Sequence, residues 1–379
     1  MRLRICTFNV ENLAARQSFG PKARPETGPA LSLFDVQEPE KREVVQQSVA
    51  VALEDDKREL CALAIAEARA DLLILQEVDN LGVMQPFFAN YVHRLSDVTY
   101  GHYRLIDGND PRGIDVAFAA RLSLFDNKQK VRARSHQERS FGELGVYGEE
   151  LAAFRIKPDD LVFNRDCLEV TLDLGGTELV LYICHFKAIA DREDGRRLTR
   201  PIRQAEARAV RRIVEERFGE GWREANWIIA GDLNDFRERI RPGGIAEPAL
   251  PSGLDALFDD FAVNPLDALP PEERWTFYFR QTEQDGAAVD EQHTQLDYIL
   301  LSPALAAANP SPKVELIRRG LPYRVPLDPA HPDRSIGRLA TRADRYPRVG
   351  WDRPKASDHC ALVVEIEIPE PAQADRPGR

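Results

Sequence analysis

Two stretches of the chain follow one plan, and any fold must satisfy both. Ala70-Asp71 leads into Leu72-Leu-Ile-Leu75 and closes on Gln76-Glu77; Ala225-Asn226 leads into Trp227-Ile-Ile-Ala230 and closes on Gly231-Asp-Leu-Asn-Asp235. Short apolar runs bounded in this way read as buried strands. Each follows a segment with helical spacing, residues 41–69 and 201–218. A carboxylate at the mouth of a buried strand is costly unless it is paired or bound to a metal ion. The repeated plan predicts two similar halves, each delivering one acidic strand end to a shared cleft.

Other strand ends carry polar side chains too. Residues 3–10 alternate so that Asn9 and Glu11 can leave the strand on one face. Taken alone, Asn9 reads as a turn-forming strand end. Gly175-Gly176 predicts a hairpin turn. Its return strand ends in His185, which alone reads as structural. Residues 293–301 read as one strand with Asp297 inside an apolar run, where a buried carboxylate needs a partner. Asp358-His359 precede the last strand.

Between these markers the reading is coarser. The helix at 41–69 is expected in two pieces meeting near Glu54-Asp55-Asp56. Residues 103–106, 112–118 and 122–125 read as successive antiparallel strands. Arg112 and Asp115 read as an ordinary turn and a satisfied strand polar group, or else they flank the cleft. Residues 126–160 read as a strand plus surface loop, without clear chemistry. Pro201 fits the first turn of its helix. Arg203, Arg208, Arg211 and Arg212 on that helix read as a solvated face, because Glu206, Glu215 and Glu216 are mixed in. Residues 237–274 read as loops with a short helix near Leu254. One domain is expected over 1–367, with long loop insertions at 16–40 and 303–356 and a disordered tail at 368–379.

Composition excludes several classes. Hydrophobic content of 43% and charged content of 30% are those of an ordinary globular protein. No apolar run approaches the roughly 20 residues that span a bilayer, and no signal-peptide core follows Met1. A cytoplasmic location is therefore expected. Five cysteines without a Cys-x-x-Cys pair read as buried, reduced thiols. The net charge of −11 weighs against tight non-specific binding to long nucleic acid. It is compatible with an acidic site that holds a divalent cation.

The polar strand ends contain what phosphoester hydrolysis requires. Carboxylate and amide oxygens suit a hard cation such as Mg²⁺. A histidine held by a buried carboxylate can move a proton, and Asp297 is the natural orienter of His359. Thr7-Phe-Asn9, Leu75-Gln-Glu77, Asn164-Arg165, His185, Gly231-Asp-Leu-Asn234, Leu296-Asp-Tyr298 and Ser357-Asp-His359, in that order, resemble the endonuclease/exonuclease/phosphatase superfamily, and His185-Phe-Lys187 with Arg112-Gly-Ile-Asp-Val116 most resemble its bacterial nuclease-like branch.

The resemblance covers residues 1–367. It implies an α/β (α+β) fold: a four-layered α/β/β/α sandwich of two mixed, mainly antiparallel sheets with outer helices. It implies Glu77 as principal metal ligand, helped by Asn9 and Asp358, with Mg²⁺ or Mn²⁺ as the ion. His359, oriented by Asp297, would be base or proton donor. Asp232 and Asn234 would position the attacking water or the scissile phosphate, and a second ion there is left open. His185 would lie on the leaving-group side, and Arg165 would contact a phosphate. The implied activity is a phosphodiesterase, a nuclease on DNA or RNA, with nucleic acid as substrate and no obligate protein partner. A phosphatase or phosphodiesterase on a small or lipid-derived phosphoester is the alternative, and a catalytically silent binding module the second.

Overall fold

The computed structural model describes residues 1–14, 38–190, 194–241, 243–282, 288–326, 344–350 and 354–369. The two repeated runs become β2 (Leu72–Val78) and β8 (Trp227–Asp232). Each is the second member of a parallel pair, β1 (Arg2–Leu13) with β2 and β7 (Glu178–His185) with β8. Parallel neighbours need a crossover, usually a helix. Here α1 (Pro39–Ala68) and α2 (Gly195–Phe218) supply them. Antiparallel strands extend both pairs.

The first sheet adds β3 (Tyr100–Leu105), β4 (Asp115–Arg121), β14 (Lys313–Ile317) and β15 (Ala361–Glu367), in the order β14-β15-β1-β2-β4-β3. The second adds β5 (Val131–Arg134), β6 (Cys167–Asp173) and β13 (Asp297–Leu301), in the order β13-β8-β7-β6-β5.

Alternation along the strands builds the layers. Ile5, Ile74 and Phe118 of the first sheet meet Val170, Leu181, Ile228 and Ile299 of the second, all buried. On the outer faces, Phe8, Leu73 and Leu75 pack on Leu60, Ala64 and Ile65 of α1, and Tyr182, Trp227 and Ile229 pack on Ala205, Ala209 and Ile213 of α2. The four-layered α/β/β/α sandwich implied by the sequence is the observed fold. All five cysteines are buried and free. Among the described residues no helix is long and apolar enough to cross a membrane.

Several local expectations are corrected. Helix α1 is continuous through Glu54-Asp55-Asp56, because these acids are satisfied at its surface: Tyr91 donates to Asp55 and Arg348 pairs with Asp56. Residues 122–124 form a single helical turn rather than a strand. Helix α2 begins at Gly195, so Pro201 lies inside it. Arg203 is not solvated but fully buried, with its guanidinium on Asp235, the Thr199 hydroxyl and the Arg196 and Lys187 carbonyls.

The expected single strand at 293–301 is two. The chain turns where the Thr276 hydroxyl accepts the N–H groups of Leu296 and Asp297, each at 3.1 Å. The first piece belongs to a third, unanticipated antiparallel sheet. It contains β9 (Glu238–Arg241), β10 (Ile245–Pro248), β11 (Phe277–Thr282) and β12 (Ala288–Thr294), in the order β10-β9-β12-β11. Two of its strands come from the 237–274 region expected as loop. The proposed insertion at 303–356 likewise contributes sheet, since β14 pairs with β15. Residues 15–37, 327–343 and 370–379, which hold much of both insertions and the tail, lie outside the described residues.

Gly231 shows how tightly the site strands are joined. Its φ of 137° and a would-be Cβ only 1.9 Å from the Cys184 carbonyl oxygen leave no room for a side chain. Gly231→Ala is expected to cost on the order of 3 kcal/mol or more. Urea unfolding checks this, and a wild-type midpoint would contradict it.

Candidate active site

The site lies at the polar strand ends. Asp232 is the centre of a row set by sheet register, with Asp297 of β13 on one side and His185 of β7 on the other. The parallel strands β1 and β2 bring Asn9 and Glu77 from the opposite sheet. Glu77 occupies an irregularity in the pairing of β2 with β4 and has a φ of 65°. Such a bulge re-aims a side chain. Asn9 spans the two sheets: its Nδ2 donates to Asp232 Oδ2 at 3.0 Å and to Glu77 Oε1 at 3.4 Å, while its Oδ1 accepts the Glu11 N–H.

The last motif docks onto the first. The Ser357 hydroxyl donates to the Asn9 carbonyl at 2.7 Å and accepts the His359 N–H at 3.0 Å. His359 Nδ1 sits 2.8 Å from Asp297 Oδ2. Its Nε2 turns towards Asp232 Oδ2 at 3.8 Å and Asp358 Oδ1 at 3.9 Å. The Phe277 ring packs against the imidazole with centroids 5.0 Å apart.

His185 Nε2 lies 3.5 Å from Asp232 Oδ2 and 4.0 Å from Glu77 Oε1. Asn234, at φ 51°, donates its backbone N–H to Asp232 Oδ1 and its Nδ2 to the Phe186 carbonyl. Asn9, Glu77, His185, Asp232, Asn234, Asp297, Asp358 and His359 are therefore brought into one mouth. Arg165 stands at its edge. Its Nη1 donates to the same Phe186 carbonyl at 2.7 Å, and its Nε to Asp110 at 2.9 Å.

Crowding sorts the protonation states. Burial pushes the Asp232 carboxyl up to about 7; the His359 charge pulls against this and Asp297 adds to it. Burial opposes a charge on His359, yet Asp297, Asp232 and Asp358 hold its pKa well above the ordinary histidine value. Burial, with Arg165, His359 and Arg112, drives His185 well below that value. His185 is thus neutral despite its carboxylate neighbours. Glu77 is raised by burial and by Asp358. On Asp358 burial works upward, but His359 and Lys355 hold its pKa down.

Two sets of donors could hold a cation. Ligand atoms of Asp232, Asp297 and His359 all lie within 4.8 Å of one another. Glu77 and Asp358, the more open carboxylates, face the mouth with side chains 18% and 39% exposed.

Three residues support the site in ways the sequence reading did not assign, and Glu206, read there as part of a solvated face, is buried. Asp235 binds Arg196, Arg203 and the Gly253 N–H, and so fixes the loop after Asn234. Glu206 accepts the Lys187 N–H at 2.8 Å and braces the turn after His185. Asp110 holds Arg165. It sits in Asn109-Asp-Pro-Arg-Gly113, whose turn-like composition hid it. Asp235 was open to suspicion, since it directly follows the Asp-Leu-Asn motif.

A histidine hydrogen-bonded to a buried carboxylate stands beside an oxygen-rich mouth in an α/β/β/α sandwich, an arrangement suited to phosphoester hydrolysis. The sequence profile of the Endonuclease/Exonuclease/phosphatase family matches residues 6–359, and the chain belongs to that family. No curated protein matches the chain.

Solved structures similar to it include an endonuclease/exonuclease/phosphatase family protein from Bacteroides thetaiotaomicron, with 14% identity over 97% of each chain and a TM-score of 0.48. The AP endonuclease LMAP from Leishmania major is similar at 16% identity over 97% of this chain and 88% of that one, with a TM-score of 0.47. TDP2 from D. rerio, complexed with single strand DNA product, gives 13% identity over 97% and 99%, with a TM-score of 0.45.

Glu206 provides a pH test of the scaffold. Burial lifts its folded pKa from 4.5 to about 7. The folded chain therefore holds a proton that the unfolded chain releases, and this stabilisation, complete below about 4.5, is lost as pH rises through 7. Glu206→Gln removes the titration but keeps an acceptor for Lys187. The stability difference between variant and wild type, read from urea midpoints at pH 5 and pH 8, should shift in favour of the variant at the higher pH. Parallel pH curves would contradict this.

Proposed function

We propose that the chain is a divalent-cation-assisted phosphodiesterase acting on nucleic acid. The observation that carries the chemistry is the Asp297–His359 hydrogen bond of 2.8 Å, with His359 Nε2 directed at Asp232. The donor chemistry fits a hard cation. Glu77 and Asp358 are like charges crowded at the mouth, and Glu77 is raised by that crowding as well as by burial. Carboxylate oxygens suit Mg²⁺ or Mn²⁺. Glu77 and Asp358 would hold the ion, with the Asn9 amide steadying Glu77. Once bound, the ion would polarise a phosphoryl oxygen and offset developing negative charge. Asp297 is already committed to His359, which disfavours the inner trio as the main ion site.

The remaining work falls to the chain's own side chains. Asp232, raised to about 7 and so partly ionised at neutral pH, accepts a proton from the water that attacks phosphorus, while the P–O bond to the leaving group breaks and the leaving oxygen takes up a proton from solvent. Asn234 fixes that carboxylate through its backbone N–H. His359, held as imidazolium by Asp297, donates to the phosphate. Neutral His185 lies against Asp232 and Glu77 and lines the leaving-group side. The retained Asp297–His359 pair speaks against a silent binding module. The net charge of −11 favours a small phosphoester as the second reading.

A panel of single- and double-stranded DNA, RNA, abasic DNA, inositol phosphates and a simple diester, with Mg²⁺, Mn²⁺ or chelator, tests the proposal. Turnover of a nucleic acid that stops with chelator is expected. Glu77→Ala and His359→Ala should each lose at least about 10²-fold in rate. Undiminished activity in both variants, or in chelator, would overturn the mechanism. Turnover of inositol phosphates alone would overturn only the nucleic-acid assignment.

A further inference from the structure

One charged feature beside the mouth takes no part in the chemistry above. Asp110, whose side chain is only 4% exposed, binds two guanidinium groups. Its Oδ1 accepts Arg112 Nε at 3.1 Å and the Arg112 backbone N–H at 2.9 Å. Its Oδ2 accepts Arg112 Nη2 and Arg165 Nε, both at 2.9 Å. Burial opposes the charge on Asp110, but the two arginines pull its pKa down to about 2, so the anchor stays ionised. Two cations share this one anion at the edge of an otherwise acidic mouth.

The two arginines are presented differently. The Arg165 side chain is 6% exposed, and two of its nitrogens are occupied by Asp110 and the Phe186 carbonyl. It is largely a strut. The Arg112 side chain is 58% exposed. Asp110 takes its Nε–Nη2 edge, and with the side chain this exposed the Nη1–Nη2 edge can serve as a second fork. A guanidinium fork matches two oxygens of a phosphate. Asp110 fixes the fork beforehand, so little side-chain freedom remains to be lost on binding.

The position is tied to the reacting centre. Gly113 lies against Asp79, with a would-be Cβ 3.7 Å from its Oδ1, and Asp115 pairs with Val78, next to Glu77. The Arg112 charge is felt at both Glu77 and His185.

We propose that Arg112 forms a second phosphate subsite, which binds a phosphate adjoining the one being hydrolysed. This rests on the phosphodiesterase reading and specifies its substrate as a nucleic-acid strand with repeated phosphates rather than an isolated diester. The subsite selects the polymer without touching the reacting atoms. The protein gains an anionic-chain preference from one fixed guanidinium despite its overall negative charge.

The test compares kcat/KM for a single-stranded oligonucleotide with kcat/KM for a dinucleotide that has one phosphodiester. Wild type should prefer the oligonucleotide. Arg112→Ala should lower that preference about 10-fold, mainly through KM of the oligonucleotide, on the scale of one lost phosphate fork. Arg112→Lys, which keeps the charge and loses the fork, should fall between. An unchanged ratio in Arg112→Ala would overturn the subsite. Fluorescence anisotropy with a labelled oligonucleotide in chelator separates this proposal from the activity itself. Weaker binding and a shallower salt dependence in Arg112→Ala support the subsite even without turnover. Equal affinity of variant and wild type overturns it.

Discussion

The contact on which the rest depends is the hydrogen bond of 3.0 Å from Asn9 to Asp232. It joins the first sheet to the second at the open end of the sandwich, where apolar packing stops. Asp232 is 1% exposed, and such a carboxylate is tolerable only with its oxygens satisfied. Asn9 and the Asn234 N–H satisfy them, and His185 and His359 close the ring. Ser357 ties the same Asn9 to the last strand. One buried acid thereby fixes the relative placement of four chain segments far apart in sequence. Its cost is a raised pKa, the property that the proposed proton acceptor needs.

The acids divide into two groups by burial. Asp232 and Asp297 are deeply buried and face His359, where protons can be exchanged. Glu77 and Asp358 are more open and face solvent, where a cation could enter. Beyond them, Asp110 gathers Arg112 and Arg165 at the edge of the mouth. A net charge of −11 describes the whole surface, but a substrate at the mouth meets local fields. The proposed subsite rests on the local Arg112 guanidinium and not on the overall charge.

Much of this was legible in the sequence because the informative features are local. An apolar run closed by an acid is visible within ten residues, and so Glu77, Asp232 and two similar halves could be read directly, whereas the sandwich followed from the family resemblance. His359 and Asp297 needed the ordered set of motifs, since neither signals its partner across 62 positions. The misses share one cause: the deciding partner is remote. Arg203 looked solvated among glutamates, and only Asp235, from another loop, makes it a buried strut. The break between β12 and β13 depends on the Thr276 hydroxyl, about twenty residues upstream. Asp110 was hidden in a turn-like run, and its role appears only when Arg165 is folded against it.

The central claim is the division between an ion-holding pair, Glu77 and Asp358, and a proton-moving trio, Asp232, Asp297 and His359. Calorimetric titration with Mn²⁺ tests it most directly, using Glu77→Gln and Asp297→Asn against wild type. Glu77→Gln should weaken Mn²⁺ binding by about 10-fold or more, on the scale expected for metal-site residues, while Asp297→Asn stays near wild type. Loss of Mn²⁺ affinity in Asp297→Asn, with Glu77→Gln unaffected, would place the ion in the inner trio and contradict the account.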